Sequence, residues 1–363
     1  MPSRSANIQP KRDLYRILSA FEREDMPTLF KPAIDRAYSV LVRFGSEPVP
    51  KDSTAQVRRE VGDAVTAIFV TPLPSSPFPD GRAAFADDGF TALSPYARAL
   101  NRRLVEVAAK VVGAHYRYMR DRLPSDVITW LTHNPITEQA HIFKSNPLAQ
   151  YEPAHTWVDP SGYQLSLRIW NLSATTRLQV DRLIADAIRQ GRSALDLARD
   201  LERFLMPGQL LRRTKKPYGR DANYPALRLA RTEIARAHSA ATFAASRGNP
   251  YVSGMDWALS ARHPKFDVCD TLATIGMSGQ RLREAYPLES APQVVTDSHP
   301  NCICTNRPFV DKDEARVIEE LREAMRLNIR PYLTPMLPVR FIEALIGAAL
   351  ITLVPEWFGE ITK

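Results

Sequence analysis

The 363-residue chain carries 48 Lys+Arg against 40 Asp+Glu, a formal net charge of +8, with 44% hydrophobic and 24% charged residues. That balance is ordinary for a globular protein and excludes wholesale disorder, and the length gives two or three structural units a core. Twenty-nine Pro and fifteen Gly are a surplus and a deficit against the usual ~5% and ~7%, so the chain turns on stiff corners. No GxGxxG, GxxxxGK(S/T) or GxSxG occurs, which removes the dinucleotide, P-loop and nucleophile-elbow readings.

The first 25 residues hold no apolar run of the kind a secretory signal needs. Three cysteines, all between Cys269 and Cys304, cannot close a disulfide framework. Both features lead us to expect a soluble chain made in a reducing compartment. Short helices are expected over Leu14–Phe21, Ala33–Phe44 and Ala55–Phe69, with a rigid loop next over Pro72–Gly81. Prolines partition the rest of the chain, because helices rarely run through them. In the proline-free window 96–123, Leu100, Leu104, Val107, Ala108 and Val111 recur at helical spacing. In 161–206, Leu178, Leu183, Ile184, Ala187 and Ile188 mark a helix ending near Gly191. Ser193-Ala-Leu-Asp196 then opens another as a capping-box variant ahead of Leu197, Leu201 and Leu205. Asp311–Leu327 is acidic early and basic late, which suits a helix dipole. Strand signals are sparse: Leu165–Trp170 alternates, and Val252–Leu259 and Gln293–Val295 are short candidates. The expected fold is mainly α with a small irregular α+β Cys/His module, in an extended multi-segment chain. It divides by content into 1–150, 151–310 and 311–363.

The chemistry concentrates in His263-Pro-Lys-Phe-Asp-Val-Cys269-Asp270 and, about thirty residues on, His299-Pro-Asn-Cys302-Ile-Cys304. On an extended backbone Cys302 and Cys304 point the same way, and Pro300 gives His299 a corner on which to fold back. With Cys269 from the first segment, a tetrahedral three-Cys, one-His structural zinc site is stereochemically reasonable. Two alternatives stand beside it. The cysteines are buried and reduced in a small core, or two of them form a disulfide. Four closed ligands leave no position for a catalytic water, and Thr232–His238 is not HExxH, so an enzyme is the weaker reading.

Between Arg212 and Arg236 lie eight basic residues against two acidic ones. Arg212, Arg213, Lys215, Lys216, Arg220 and Arg228 are the candidates for non-specific contact with nucleic-acid phosphates. The plainer reading is a solvated loop before a helix, with Arg231 and Arg236 paired to Glu233 or other local acids. The stretch Val339–Val354 is apolar over most of a helical surface. Phe341, Leu345, Ile346 and Leu350 are the candidates for burial against the chain itself, a neighbouring copy or a partner's groove, with a membrane-active segment exposed on demand as the further alternative.

The run Arg228-Leu-Ala-Arg-Thr-Glu-Ile-Ala-Arg-Ala-His-Ser-Ala-Ala241 resembles the "ARTE…A" helix of the minor head proteins of tailed bacteriophages, the family named after the F protein of phage Mu. In that family the helix is followed by a short strand bearing a Trp, here Trp257, then a Cys-containing turn and a His-Pro-x-Cys-x-Cys segment. Ser260–Asp270 and Ser298–Cys304 match a recurring version, and the helix–Gly–Ser–helix run over 173–205 is similar too. The resemblance covers roughly 155–310. Many relatives carry a C-x2-C at the first cysteine, whereas Cys269 here is followed by Asp270-Thr-Leu272. If a metal is bound, His263 is the substitute ligand. The resemblance implies a virion structural protein, present in a few copies per particle inside the head near the portal vertex and in the host cytoplasm during assembly. It implies portal protein, the major capsid protein and packaged double-stranded DNA as partners, and a role in assembly, packaging or delivery. Two readings from other classes remain: a metal-dependent nuclease, kept alive by Asp267, Asp270 and Asp297, and a zinc-stabilised cytosolic scaffold.

Overall fold

The structure, a computed structural model, describes residues 11–70, 94–128, 165–205, 223–260, 263, 266–274, 285–310 and 313–327. The protein is mainly helical with one small three-stranded antiparallel sheet. It divides into two compact units, one of Met1–Ile17, Arg102–Pro153 and Arg231–Lys363, the other of Leu18–Asn101 and Ala154–Ala230. Among the described residues no helix is long and apolar enough to cross a membrane.

The second unit is helical. It begins at Leu18, in the last turn of α1 (Lys11–Ala20), which runs through a π-helical turn, Phe21–Asp25, into α2 (Met26–Leu41). The sequence leads one to expect the prolines to separate these helices, but Pro27 and Pro32 both lie within α2. Pro27 stands at the first positions of α2, where a missing N–H costs nothing, and the wider π turn before it gives the ring room. Helix α3 (Thr54–Phe69) packs on α2 and on α5 (Leu165–Arg189), and α6 (Ala194–Leu205) packs on α2 and α5 as well. Of helix α4 (Pro95–Arg120) only the first two turns, to Asn101, belong to this unit, and there Tyr96 is fully buried, its hydroxyl donating to the carbonyl of Ala226 at 2.6 Å. Rings of Phe21, Tyr96, Phe69 and Phe30 form a chain of edge-on and tilted contacts with centroids 5.3–5.9 Å apart. The α5–α6 corner has the expected chemistry. Gly191 takes φ +66°, and the N–H groups of Gly191 and Arg192 return to the carbonyls of Ile188 and Ala187 in a Schellman closure. Ser193 Oγ then accepts the N–H of Asp196 at 3.1 Å and donates to that carboxylate at 2.8 Å.

Two sequence expectations fail here. Leu165–Trp170 is the first turn and a half of α5, not a strand. A short alternating apolar run fits either period, and nothing interrupts it before the long helical pattern downstream. Leu178, expected on the apolar face, is 55% exposed.

In the first unit, α7 (Asn223–Arg247) leads into β1 (Val252–Ala258), the central strand of a sheet ordered β2 (Tyr286–Pro287), β1, β3 (Thr305–Val310). Gly254 is required there, because a Cβ would come within 2.6 Å of the Tyr286 carbonyl oxygen on the neighbouring strand. Helix α8 (Val268–Thr274) packs on β1. The expected strand at Gln293–Val295 is instead a turn. The N–H of Asp297 returns to the carbonyl of Gln293 and Val295 stands at φ +73°, which takes the segment out of any ladder. Helix α9 (Glu314–Arg326) is capped by Asp313, whose carboxylate accepts from the N–H of Ala315, and buries Val317 and Leu321 with Leu123, Val127 and Tyr251.

Candidate metal centre

Three cysteines dominate the small core beside β1, which buries Ala235, Trp257, Cys269, Val294, Val295, Cys302 and Cys304. So few large apolar side chains give little hydrophobic driving force, and local hydrogen bonding supplies much of the order. The sequence Asp267-Val-Cys-Asp270 makes a reciprocal cap at the start of α8. Asp267 Oδ1 accepts the N–H of Cys269 at 2.7 Å, and Asp270 Oδ2 accepts the N–H of Asp267 at 2.9 Å. The sequence His299-Pro-Asn-Cys302 closes a turn in which the N–H of Cys302 reaches the carbonyl of His299 at 3.2 Å. Proline stands second and Asn301, at φ +66°, third, the arrangement a type II turn demands.

Helix α7 holds this turn. Thr232, Ala235 and Ser239, spaced three and four apart on one face, are all buried. Thr232 Oγ1 accepts the N–H of Asn301 at 2.9 Å. Ser239 Oγ donates to Asn306 Oδ1 at 2.7 Å and accepts the N–H of Val294 at 3.2 Å, while Asn306 Nδ2 donates to the Pro292 carbonyl at 2.7 Å. The left-handed Val295, uncommon for a β-branched residue, is fixed between these bonds and one from its own N–H to Ser298 Oγ at 3.0 Å.

All five sequence-predicted donors meet in this module. They form two sets, His263 with Cys269 and Cys304, and Cys269 with His299 and Cys302, each with its donor atoms within 4.8 Å of one another and with Cys269 common to both. Sγ of Cys269 lies 3.6 Å from Sγ of Cys302 and 3.5 Å from Nε2 of His299. A tetrahedral ion bound at about 2.3 Å to sulfur and 2.0 Å to nitrogen would set those separations at about 3.8 and 3.5 Å. These residues can therefore hold a metal ion. The cysteines are free thiols and buried. Nδ1 of His299 lies 3.1 Å from the Pro300 carbonyl, to which it donates, so Nε2 presents its lone pair toward Cys269.

The thiols cannot all ionise side by side without a cation. Cys302 is pulled down to about 5, chiefly because the Cys304 thiol donates to its sulfur. That same bond holds Cys304 far above the ordinary thiol range, and burial raises Cys269 likewise.

Two carboxylates that the sequence offered only for a nuclease also belong here. His263 Nε2 lies 2.9 Å from Asp270 Oδ2, and the two residues form a third potential ligand set with Asp267. The remaining candidate, Asp297, instead accepts the N–H of Gln293 at 2.7 Å and is in none of the three sets. Sequence reasoning missed Thr232, Ser239 and Asn306, though the helical spacing of Thr232 and Ser239 within and just beyond the "ARTE" run was a usable signal.

Of the basic candidates only Arg228 lies among the described residues, on α7. Arg212, Arg213, Lys215, Lys216 and Arg220 lie outside them, as do Phe341, Leu345, Ile346, Leu350 and the loop at Pro72–Gly81. Arg236 pairs with the fully buried Glu233 at 3.3 Å, as the plainer reading of that segment has it. His238 is buried with no partner for Nε2 among the described residues, and burial pushes it down to about 4.

No protein-family model, no curated protein and no solved structure matches this chain.

Proposed function

We propose that this chain is a minor head protein of a tailed bacteriophage, whose Cys/His module is a structural zinc site and whose work is binding rather than catalysis. One observation supports this reading most. The motifs that carry the resemblance converge on each other, since Thr232 of the "ARTE" helix bonds the Asn301 N–H inside the His-Pro-Asn-Cys turn, and Trp257 shares its core with all three cysteines. A three-thiolate, one-imidazole donor set suits zinc better than magnesium or calcium, which take oxygen ligands. His299, Cys302, Cys304 and Cys269 would hold the ion with His263 in reserve. The side chains as they stand group Cys302 with His299 and Cys304 with His263, Cys269 being common to both, so binding would draw them onto one centre. The bound ion would cross-link loops that have little core of their own. On this reading the surplus positive charge over 212–236 meets packaged double-stranded DNA. The apolar residues Phe341, Leu345, Ile346 and Leu350 meet portal or capsid protein, inside the head near the portal vertex.

A metal-dependent nuclease is the second reading, favoured by the carboxylates of Asp267 and Asp270 beside His263. Against it, the thiols are 0–2% exposed, which suits a closed site. Co-expression with a portal protein, detection in purified particles and incubation with DNA decide between them. The structural reading requires co-purification with portal and uncut DNA in Mg²⁺ or Zn²⁺. Cleavage that disappears in Asp270→Asn would overturn it.

A further inference from the structure

Among the described helices α4 is the most one-sided in charge. It carries six basic residues against one acidic residue, whereas α3, α6 and α9 carry at least as many acids as bases. The part of α4 in the first unit, from Arg102 to Arg120, also sorts its residues by side. At about 100° per residue, Leu104, Val107, Ala108, Val111 and His115 share one side, and all are buried. The far side, an arc of about 100°, holds Arg102, Arg103, Glu106, Lys110, Gly113, Arg117 and Arg120. Every position of that arc is charged except Gly113. The single acid is held within the protein, since Glu106 pairs with Arg103 at 2.9 Å and with Arg16 of α1 at 3.1 Å. With Arg16 counted, six cations stand against one carboxylate on this face.

A straight cationic row of this kind fits a straight polyanion. From Arg102 to Arg120 it runs about 27 Å, at about 1.5 Å per residue. Duplex DNA presents one negative charge per about 1.7 Å of its axis, and its major groove, about 12 Å wide, admits a helix. The face has guanidinium and ammonium groups for phosphates but no Asn or Gln of the kind that reads adenine, so it suits the backbone of any sequence. Gly113, within the arc, puts no side chain in the way of a close approach. An anionic membrane fits less well. A helix lying in a membrane interface offers an apolar face to the acyl chains, and here the apolar side of α4 is already buried in protein.

We infer that the charged face of α4 is a contact surface for duplex DNA, holding phosphates without reading bases. This inference rests on the DNA-binding part of the function proposed above. It adds a surface separate from residues 212–236, one that needs neither the metal centre nor the apolar stretch at 339–354. Each cation that meets a phosphate releases a condensed counterion, so the face makes binding steeply dependent on salt.

The test is binding of the full-length chain to a short DNA duplex of mixed sequence, by fluorescence anisotropy between about 50 and 200 mM salt. Changing Arg102, Lys110 and Arg117 together to Gln removes three cations and keeps good helix formers. The slope of log affinity against log salt should flatten by about 2–3, and affinity near 0.1 M salt should fall at least about tenfold. A thermal melt like that of wild type shows that the triple variant folds. Where it melts early, Lys110→Gln alone carries the test, with a slope change of about 0.9. An unchanged slope in these variants, with a loss on changing Arg212, Arg213, Lys215 and Lys216 to Ala, overturns the α4 surface and leaves the DNA-binding reading standing. No duplex binding by the wild-type chain overturns both. Vesicles rich in phosphatidylserine are the second probe. If they are held through the same three residues and the duplex is not, the partner is a membrane and the inference fails.

Discussion

The two units reach stability by different routes. Around α2, α3, α5 and α6 the core is large and apolar, with Phe21, Phe30, Phe69 and Tyr96 buried ring against ring and aliphatic side chains from four helices around them. Beside β1 the strands are seven, two and six residues long, α8 has seven residues, and three of seven buried core side chains are cysteines. The first region needs nothing but water to fold against. The second has too little apolar surface for that, and substitutes directed bonds and, on the reading proposed, a metal cross-link.

The sharpest break between the two comes from removing a metal ligand. Cys302→Ala should abolish metal binding and unfold the sheet module, since structural zinc supplies about 10 kcal/mol or more in small domains. The helices of the other unit should persist. Circular dichroism would keep most of its helical signal while the fluorescence of Trp257 shifts toward that of water-exposed indole. A single melting transition lost all at once would show that the two regions are not separable. The reciprocal change is Phe69→Ala. It leaves a large cavity between Phe30 and Tyr96 and should cost about 3–5 kcal/mol in the helical unit with metal content unchanged.

Acid should act on the unit that carries the sheet. His115 and His238 are buried, and desolvation lowers them to about 3 and about 4, from an unfolded value of 6.5. Below pH 6.5 the unfolded chain binds protons that the folded one refuses, so stability is full above that pH and falls as pH drops toward 4. The loss is about 1.4 kcal/mol per histidine per pH unit. Denaturant titrations of wild type and His238→Gln at pH 7 and 5 measure it, and the variant should show the shallower slope. A smaller effect is expected from Thr232→Val, which strands the Asn301 N–H. It should cost about 1–3 kcal/mol and weaken metal binding by loosening the turn that carries His299 and Cys302.

Much of the helical region was legible in the sequence because its signals are local. Gly191 and Ser193 stop and start helices through their own backbone and hydroxyl chemistry, and α3 ends at Phe69, where the expected helix does. Pro32 and Leu165–Trp170 misled for one reason, that a rule about a few residues was overruled by the longer helix around them. In the module, the five candidate metal donors could be named from clustering and the resemblance. Their arrangement could not, because it depends on contacts between residues far apart, such as Thr232 with Asn301 and Ser239 with Asn306. Asn301 is intermediate. Its place after Pro300 signals a turn, but only the folded chain shows that this turn hangs from α7.

Amide hydrogen exchange before and after metal removal from the full-length chain tests the contrast most directly. Val252–Ala258 and Thr305–Val310 should lose protection when the metal is stripped and regain it when zinc is restored, while Thr54–Phe69 and Ala194–Leu205 stay unchanged. Equal protection of the sheet with and without metal would contradict the account.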